Sequence, residues 1–187
     1  DGNLTGVNVS GIALVTGKNV TGINFGGIAN VSGGDLTGIN IGGIANVSGG
    51  NITGINIGGI ATVCKGDITG INFGIGALVT NTNITGLNMS LGGIIANESI
   101  GGITFNGYRT ECENLWGFNT TIGITKVTNF SGFSISGLNK FMGAQAGISI
   151  GLVNIAESLS GIQIGLINVV KSNPAPFKVL PFLNIGM

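Results

Sequence analysis

The sequence predicts an all-β solenoid, a parallel β-helix or β-roll in which coils of about 16 residues stack on one another. Three observations predict this fold: 16-residue units repeat without a gap, apolar and polar positions alternate inside each unit, and glycine pairs recur at two places per unit. Five units begin at Thr5, Thr21, Thr37, Thr53 and Thr69. The unit at residues 37–52 reads TGINIGGIANVSGGNI.

The units form columns when they are aligned from their threonine, which is position 1. Position 2 is always Gly, position 4 is always Asn, and positions 3 and 5 are Val, Ile or Phe. This alternation is typical of a half-buried strand, so we expect positions 3 and 5 to face the core. Thr and Asn should then form ladders on the surface. The predicted ladder residues are Thr21, Thr37, Thr53, Thr69, Asn24, Asn40, Asn56 and Asn72.

The glycine pairs lie near positions 6–7, as in Gly42-Gly43, and near positions 13–14, as in Gly49-Gly50. Glycine adopts positive φ without a steric penalty, so these pairs are the expected corners. Each coil should therefore contain two strands of about five residues. Ala at position 9, Val at position 11 and an aliphatic residue at position 16 complete the predicted interior.

The whole chain, 1–187, is predicted to form one solenoid domain. Regular coils occupy 1–90, and irregular coils with an inserted loop around Tyr108–Trp116 occupy 91–145. A shorter period of 14 residues returns in 146–172. The segment 173–187 holds all 3 prolines and the phenylalanines Phe177 and Phe182. Proline cannot donate a ladder hydrogen bond, so this segment is expected to cap the stack.

An antiparallel β-barrel is the alternative fold. Each unit would then be one strand of about 12 residues, with the Ser-Gly-Gly-Asn runs as hairpin turns. A barrel in an outer membrane would need aromatic girdles and long loops. The chain has 1 Trp and 1 Tyr, and the solenoid is therefore favoured.

The composition argues against catalysis and against nucleic acid as a partner. Seven acidic and seven basic residues give a net charge of zero, so no basic surplus exists to hold phosphates. Histidine, the commonest general base and metal ligand, is absent. The acidic residues form no recognisable acid/base pair. We therefore expect a protein that is not an enzyme and that has no cofactor or metal.

Cys64 and Cys112 are the 2 cysteines of the chain. A disulfide between them is the expectation for an exported protein. It would stabilise the fold by ~4 kcal/mol in the chain-entropy account and would tie the inserted loop to the regular coils.

The sequence is rich in the glycosylation acceptor Asn-X-Ser/Thr. Position 15 reads Asn19, Asp35, Asn51, Asp67, Asn83, so acceptors there alternate with aspartates. Alternate coils lie ~9.6 Å apart, which would relieve crowding between covalent glycans. A shared turn preference of Asn and Asp explains the column equally well. The candidate acceptors are Asn3, Asn8, Asn19, Asn30, Asn46, Asn51, Asn83, Asn88, Asn97, Asn119 and Asn129.

Residues 147–154, GISIGLVN, and 161–168, GIQIGLIN, resemble a bacterial surface-repeat family first recognised in leptospires, whose units follow G-[LI]-[QN]-[IL]-G-L-[VI]-N. The Pro/Phe-rich ending of the chain fits this family as well. The likeness covers about the last 40 residues, and the 16-residue units fit more loosely. The resemblance implies an exported, surface-associated protein without known catalysis.

These observations together predict a structural subunit of a glycosylated extracellular filament or surface layer. Because the first coil leaves an uncovered strand edge, copies of the chain are expected to associate head-to-tail through the solenoid ends. One alternative is a surface adhesin or ice-binding module that uses the Thr/Asn ladder face, with a cell-surface or carbohydrate contact. The other is an outer-membrane β-barrel.

Overall fold

The computed structural model describes residues 2–186 and is built of β-strands throughout. Long strands of seven or eight residues alternate with short strands of four residues up to Asn106, after which the strands run on around the corners. The strands are β1 Leu4–Ser10, β2 Ala13–Thr16, β3 Val20–Gly26, β4 Ala29–Ser32, β5 Leu36–Gly42, β6 Ala45–Ser48, β7 Ile52–Gly58, β8 Ala61–Cys64, β9 Ile68–Gly74, β10 Ala77–Thr80, β11 Asn83–Ser90, β12 Gly93–Ala96, β13 Ser99–Asn106, β14 Arg109–Phe141, β15 Ala144–Ala156, β16 Ser158–Val170 and β17 Val179–Ile185.

Successive units run in the same direction and stack in register, which confirms the solenoid. Each long strand pairs in parallel with the next long strand, so that Thr21 aligns with Thr37 and Ile23 with Ile39. The short strands pair in the same way, for example Ala29 with Ala45. The antiparallel alternative is wrong because neighbouring units are parallel. Glycines with positive φ mark one coil each, and we number coils 1–11 by them: Gly6, Gly22, Gly38, Gly54, Gly70, Gly86, Gly102, Gly117, Gly132, Gly147 and Gly161.

These glycines are required for two reasons. Gly38 has a φ of 113°, in the left-handed region that residues with a Cβ rarely adopt. A Cβ at Gly38 would also collide with the backbone carbonyl of Gly22 in the coil before. The stacking of coils therefore explains why position 2 of the unit holds no other residue.

The coils shorten along the stack. Aligned residues are 16 apart up to Ile95 and Glu111, then 15 apart from Ser99 and Asn114. The spacing falls to 14 between β15 and β16, where Ala144 aligns with Ser158. The predicted 14-residue period is confirmed by this register.

The predicted loop around Tyr108–Trp116 is wrong. Residues from Arg109 onward belong to β14, and they pair with β12 and β13 of the coils before. The aromatic and charged residues that suggested a loop project from this strand instead. Trp116, for example, lies in coil 8, with its indole over Gly101 of coil 7.

The carboxyl-terminal segment ends the parallel stack. β17 pairs antiparallel with β16, from Ile162 and Ile185 to Val169 and Val179. Pro181 lies within this last strand. The antiparallel direction stops the addition of further parallel coils, so β17 acts as the cap of the fold.

The interior is the opposite of the predicted one along the long strands. Strict alternation is present, but position 4 points inward and positions 3 and 5 point outward. Asn24, Asn40 and Asn56 have no exposed surface, whereas Ile23 is 48% exposed and Phe25 is 41% exposed. Since the side-chain period of a strand is two, the wrong choice of face inverts every residue of the strand.

The buried asparagines satisfy one another through hydrogen bonds along the stack. The Nδ2 of Asn24 donates to the Oδ1 of Asn40 at 2.7 Å, and the Nδ2 of Asn40 donates to the Oδ1 of Asn56 at 2.7 Å. The ladder begins at Asn8 and ends at Asn88. A buried amide without a partner is destabilising by about 1–3 kcal/mol, which the ladder avoids.

The apolar core occupies the rest of the interior. Its main column is position 16, where Leu36, Ile52 and Ile68 are fully buried. The polar column at position 12, which includes Ser32 and Ser48, faces the same interior. Burial of the position-16 column, at roughly 1.5–3 kcal/mol for each side chain, is a main source of stability.

Candidate functional site

The outward side of the long strands, which we call face A, is the most distinctive surface of the protein. It consists of three columns, one polar and two apolar. The Thr column at position 1 flanks the apolar columns, and Thr21, Thr53 and Thr69 are exposed while Thr37 is half-buried. The apolar residues are Val7, Val9, Ile23, Phe25, Ile39, Ile41, Ile55, Ile57, Ile71, Phe73, Leu87, Met89, Ile103, Phe105, Phe118, Phe133, Ile135, Ile148, Ile150, Ile162 and Ile164.

Face A carries no charged side chain in any of coils 1–11, within the residues that the structure describes. Three of the five phenylalanines of the face, Phe105, Phe118 and Phe133, lie in consecutive coils 7–9, and the other two are Phe25 in coil 2 and Phe73 in coil 5. Phe105 and Phe118 have ring centroids 5.9 Å apart, and Phe118 stacks on Phe133 at 5.5 Å. A surface of this kind exceeds the few hundred Å² of apolar patch that an isolated soluble protein usually exposes.

The outward side of the short strands, face B, differs from face A because charges interrupt it. Arg109 and Lys126 both pair with Glu111, the latter at 2.9 Å. Lys140 is also exposed on this side. The early coils present only the smaller Ala and Val columns. Face B is therefore narrower than face A and more polar in its middle coils.

The predicted Thr/Asn ladder face is wrong as a surface. The asparagines Asn24, Asn40, Asn56 and Asn72 are fully buried and form the interior ladder. Only the threonines of that prediction reach the solvent, next to Ile and Phe columns rather than Asn. The predicted polar array for ice or carbohydrate is therefore reduced on this side to the Thr column.

The charged residues of the early coils lie at one corner, which we call the polar corner: residues 17–19, 33–35, 49–51, 65–67 and 81–83. Position 15 has a defined structural role there. The Oδ1 of Asn19 accepts the backbone N–H of Asp35 at 2.8 Å, and the Oδ1 of Asp35 accepts that of Asn51 at 2.8 Å. Both Asn and Asp supply this oxygen, which explains why they share the column.

Hydrogen bonds at the polar corner also set the ionisation of one aspartate. The hydroxyl of Thr82, and then the side chain and backbone N–H of Asn83, lower the pKa of Asp67. The Nδ2 of Asn83 donates to its Oδ1 at 3.0 Å. The carboxylate form is favoured because each donor stabilises negative charge.

The candidate glycosylation acceptors divide into two groups. Asn30, Asn46, Asn88 and Asn119 are fully buried, so their prediction as surface acceptors is wrong for the folded chain. Asn3, Asn19, Asn51, Asn97 and Asn129 are exposed, and Asn8 and Asn83 are partly exposed. The Nδ2 of Asn8 is already engaged, since it donates to Asn24 at 2.8 Å.

The predicted disulfide is wrong as well. Cys64 and Cys112 are free and buried, and both occupy position 12, three coils apart. Three coil spacings amount to ~14 Å, whereas disulfide-linked Cα atoms lie within ~7 Å. Burial raises the pKa of the Cys112 thiol to about 12 and raises that of Cys64.

Among residues 2–186, no group of three His, Cys, Asp or Glu side chains is placed so that it could hold a metal ion. A bilayer-spanning apolar helix is absent from the part of the chain that the structure describes.

The chain matches no family model, and no curated protein or solved structure matches it either. The resemblance to the leptospiral surface-repeat family therefore stays a prediction.

Face A was missed by reasoning from the sequence because apolar columns were assigned to the core. One signal could have revealed it. Positions 3 and 5 accept Val, Ile, Leu, Phe and Met along the stack, whereas position 4 is Asn in every regular unit. A closed core tolerates changes of volume poorly, which fits the outward place of the variable columns in the long strands. The short strands do not follow this rule, since the variable position 10 is buried there, as in Asn46, Thr62 and Leu78.

Proposed function

We propose that the protein is a non-enzymatic structural subunit of an extracellular assembly and that it associates laterally, through face A. The observation that supports the proposal is the uncharged apolar surface along all eleven coils. Exposure of such a face to water is unfavourable by ~25 cal/mol for each Å² that could be buried. A surface of this extent marks an interaction site.

The solenoid supplies the rigidity that a structural subunit requires. Every long strand between β1 and β16 pairs with its neighbours, and the Asn ladder and apolar column lock the coils in register. Lateral association is favoured over the predicted head-to-tail contact because antiparallel β17 covers the last coil. The head-to-tail contact stays a prediction.

Glycosylation, if present in the native protein, is proposed for the polar corner alone. Asn19 and Asn51 lie there two coils apart, ~9.6 Å along the stack. Asn83 continues the column, but its Nδ2 already donates to Asp67 at 3.0 Å. A glycan on Nδ2 would leave the Oδ1 free to accept the backbone hydrogen bond of the next coil. Sugars at this corner would leave face A open for association.

The proposal is tested by placing charges on face A of the full chain. The triple variant Ile39→Lys, Ile55→Lys, Ile71→Lys is compared in sedimentation velocity with the wild type and with Val31→Lys, Val47→Lys, Val63→Lys on face B. We expect the wild type and the face B variant to self-associate or to require detergent. The face A variant should be a folded monomer. If the wild type is a detergent-free monomer that the face A charges leave unchanged, the proposal is wrong.

A further inference from the structure

We infer that the occupant of face A is face A of a second copy, with the two rods antiparallel and a two-fold axis through coil 6. This inference rests on the proposed function, since it names the partner of the same surface. Three features of the structure support it: the area of face A, the absence of charge from it, and the distribution of large side chains along it.

The area of face A matches that of a stable dimer. Eleven coils at ~4.8 Å and long strands of seven residues at ~3.3 Å give a face of roughly 50 by 20 Å, on the order of 1,000 Å². A standard specific interface buries about 800 Å² per partner, and permanent homodimers bury more and are more apolar. Two face A surfaces would therefore suffice without any other contact.

The charge distribution favours a protein partner over a lipid surface. Amphipathic elements that bind membranes are typically rich in Lys and Arg, which attract anionic headgroups. This chain has a net charge of zero, face A itself has no charged residue, and the polar corner beside it carries both signs, as in Lys65 and Asp67. The outward side chains of face A are regularly spaced from coil to coil, as in sheets that pack face to face at ~10 Å.

The large side chains of face A favour the antiparallel arrangement. Phe118 and Phe133 lie in coils 8 and 9, whereas coils 3 and 4 carry only Ile in the apolar columns. An axis through coil 6 places coil 8 against coil 4 and coil 9 against coil 3, so that Phe133 faces Ile39. Phe73 of coil 5 and Phe105 of coil 7 are the one pair of large residues that this axis brings together. A parallel pair would instead place each aromatic residue against its own copy. Facing layers pack best when large residues meet smaller ones.

An apolar groove lies at the same centre. It has a volume of about 240 Å³ and is lined by Phe73, Met89 and Phe105 of coils 5–7, together with Ile122 at the adjoining corner. Because the proposed axis passes through coil 6, the grooves of the two copies meet there. Each groove can then receive side chains from the partner.

The register of the two copies is tested by cysteine cross-linking in the full chain. The buried thiols are first removed as Cys64→Ser and Cys112→Ala, because position 12 is already Ser or Ala in other coils, as in Ser48 and Ala96. In the antiparallel pair, Leu87→Cys should form a disulfide with its own copy. Ile39→Cys should not, but it should cross-link when mixed with Phe133→Cys. Self-cross-linking of Ile39→Cys would overturn the antiparallel register.

The partner is tested by the single variant Ile55→Lys, with Val47→Lys on face B as control and circular dichroism as the check of folding. We expect Ile55→Lys to raise the dimer dissociation constant on the order of 100-fold, because two unpaired charges would be buried. Val47→Lys should leave the constant unchanged. If Ile55→Lys does not fold, Ile55→Thr, which keeps a β-branched side chain, should weaken the dimer in the same direction.

Flotation with phosphatidylcholine vesicles distinguishes this inference from the proposed function. A monomeric wild type that binds vesicles through face A would overturn the second copy as occupant and leave face A standing as the interaction surface of the protein. A monomer that binds no vesicles and is indifferent to Ile55→Lys would overturn both. A dimer that Ile55→Lys leaves intact would overturn the inference.

Discussion

In each long strand the buried side is polar and the exposed side is apolar, which reverses the usual distribution of residue types. In coil 4, Asn56 is fully buried between two other asparagines, while its neighbours Ile55 and Ile57 are 39% and 36% exposed. The amide can be inside because identical residues above and below satisfy it. The aliphatic residues can be outside only if something covers them. The difference shows that, in a repeat stack, hydrogen bonding between copies can outweigh hydrophobicity in choosing the buried face.

The largest effect is expected from removing a rung of the buried ladder. Asn56→Leu leaves the Nδ2 of Asn40 and the Oδ1 of Asn72 without their partner. Each buried group without a partner is destabilising by about 1–3 kcal/mol, so the free energy of unfolding should fall by about 2–4 kcal/mol. Urea denaturation measures this change.

The matched control for the ladder is Val47→Asn, an outward position of face B. It should change the free energy of unfolding by less than about 1 kcal/mol, within the range of strand propensity. If Asn56→Leu lowered the free energy of unfolding no more than the control, the asparagine column would have to lie at the surface. The contrast between a polar interior and an apolar exterior of the long strands would then be wrong.

An intermediate effect is expected on the reactivity of the two buried cysteines, because their thiols report whether the interior is closed to solvent. Iodoacetamide should leave both thiols unmodified in the folded protein and modify both after denaturation, because the thiolate form is suppressed by burial. Mass spectrometry distinguishes the two states. A reducing agent should not shift the midpoint of unfolding. A disulfide would lower the mass of the protein by 2 Da relative to the dithiol form, and such a mass would contradict the separation of the two cysteines by three coils.

The smallest effect is expected at the polar corner, where position 15 is Asp67 in one coil and Asn51 or Asn83 in the adjacent coils. The pKa of Asp67 is lowered from its ordinary value of 3.8, so its contribution to stability is present above that pH and is lost as the pH falls through the folded-state pKa. Asp67→Asn keeps the accepting oxygen and should be within about 0.5 kcal/mol of the wild type at neutral pH.

Below about pH 4 the wild type should lose stability more steeply than Asp67→Asn, since the variant has no carboxyl group to protonate there. Thermal unfolding between pH 2 and 5 compares the two. Equal slopes would show that the nearby Thr82 hydroxyl and the hydrogen bonds from Asn83 do not favour the carboxylate.

The fold could be predicted from the repeat because a column of one residue type requires stacked, parallel coils. The period follows from the same columns, and the carboxyl-terminal cap follows from the prolines. The chain does turn next to Gly42-Gly43, but positive φ, on which that prediction rested, is found at position 2, as in Gly38. The phase of the strands could not be predicted in this way. Alternation shows that Ile39 and Asn40 point to opposite sides, but it does not show which side is inside.

Other differences have equally local causes. The pairing of Cys64 with Cys112 assumed a loop that could bend back, whereas the strand β14 holds Cys112 in the stack. Buried acceptors such as Asn46 carry the correct three-residue motif, but a motif does not report burial. Face A itself required both the phase of the strand and the position of every charge, which only the folded coil shows.

The direction of the asparagine ladder gives the rod an electrical polarity. From Asn8 to Asn88 each side-chain amide donates to the following coil and accepts from the preceding one, so all their dipoles point the same way along the axis. Hydrogen bonds in such a chain polarise one another and strengthen the sum. Two rods side by side with opposite orientation would have opposed dipoles, which attract, whereas rods of like orientation would repel.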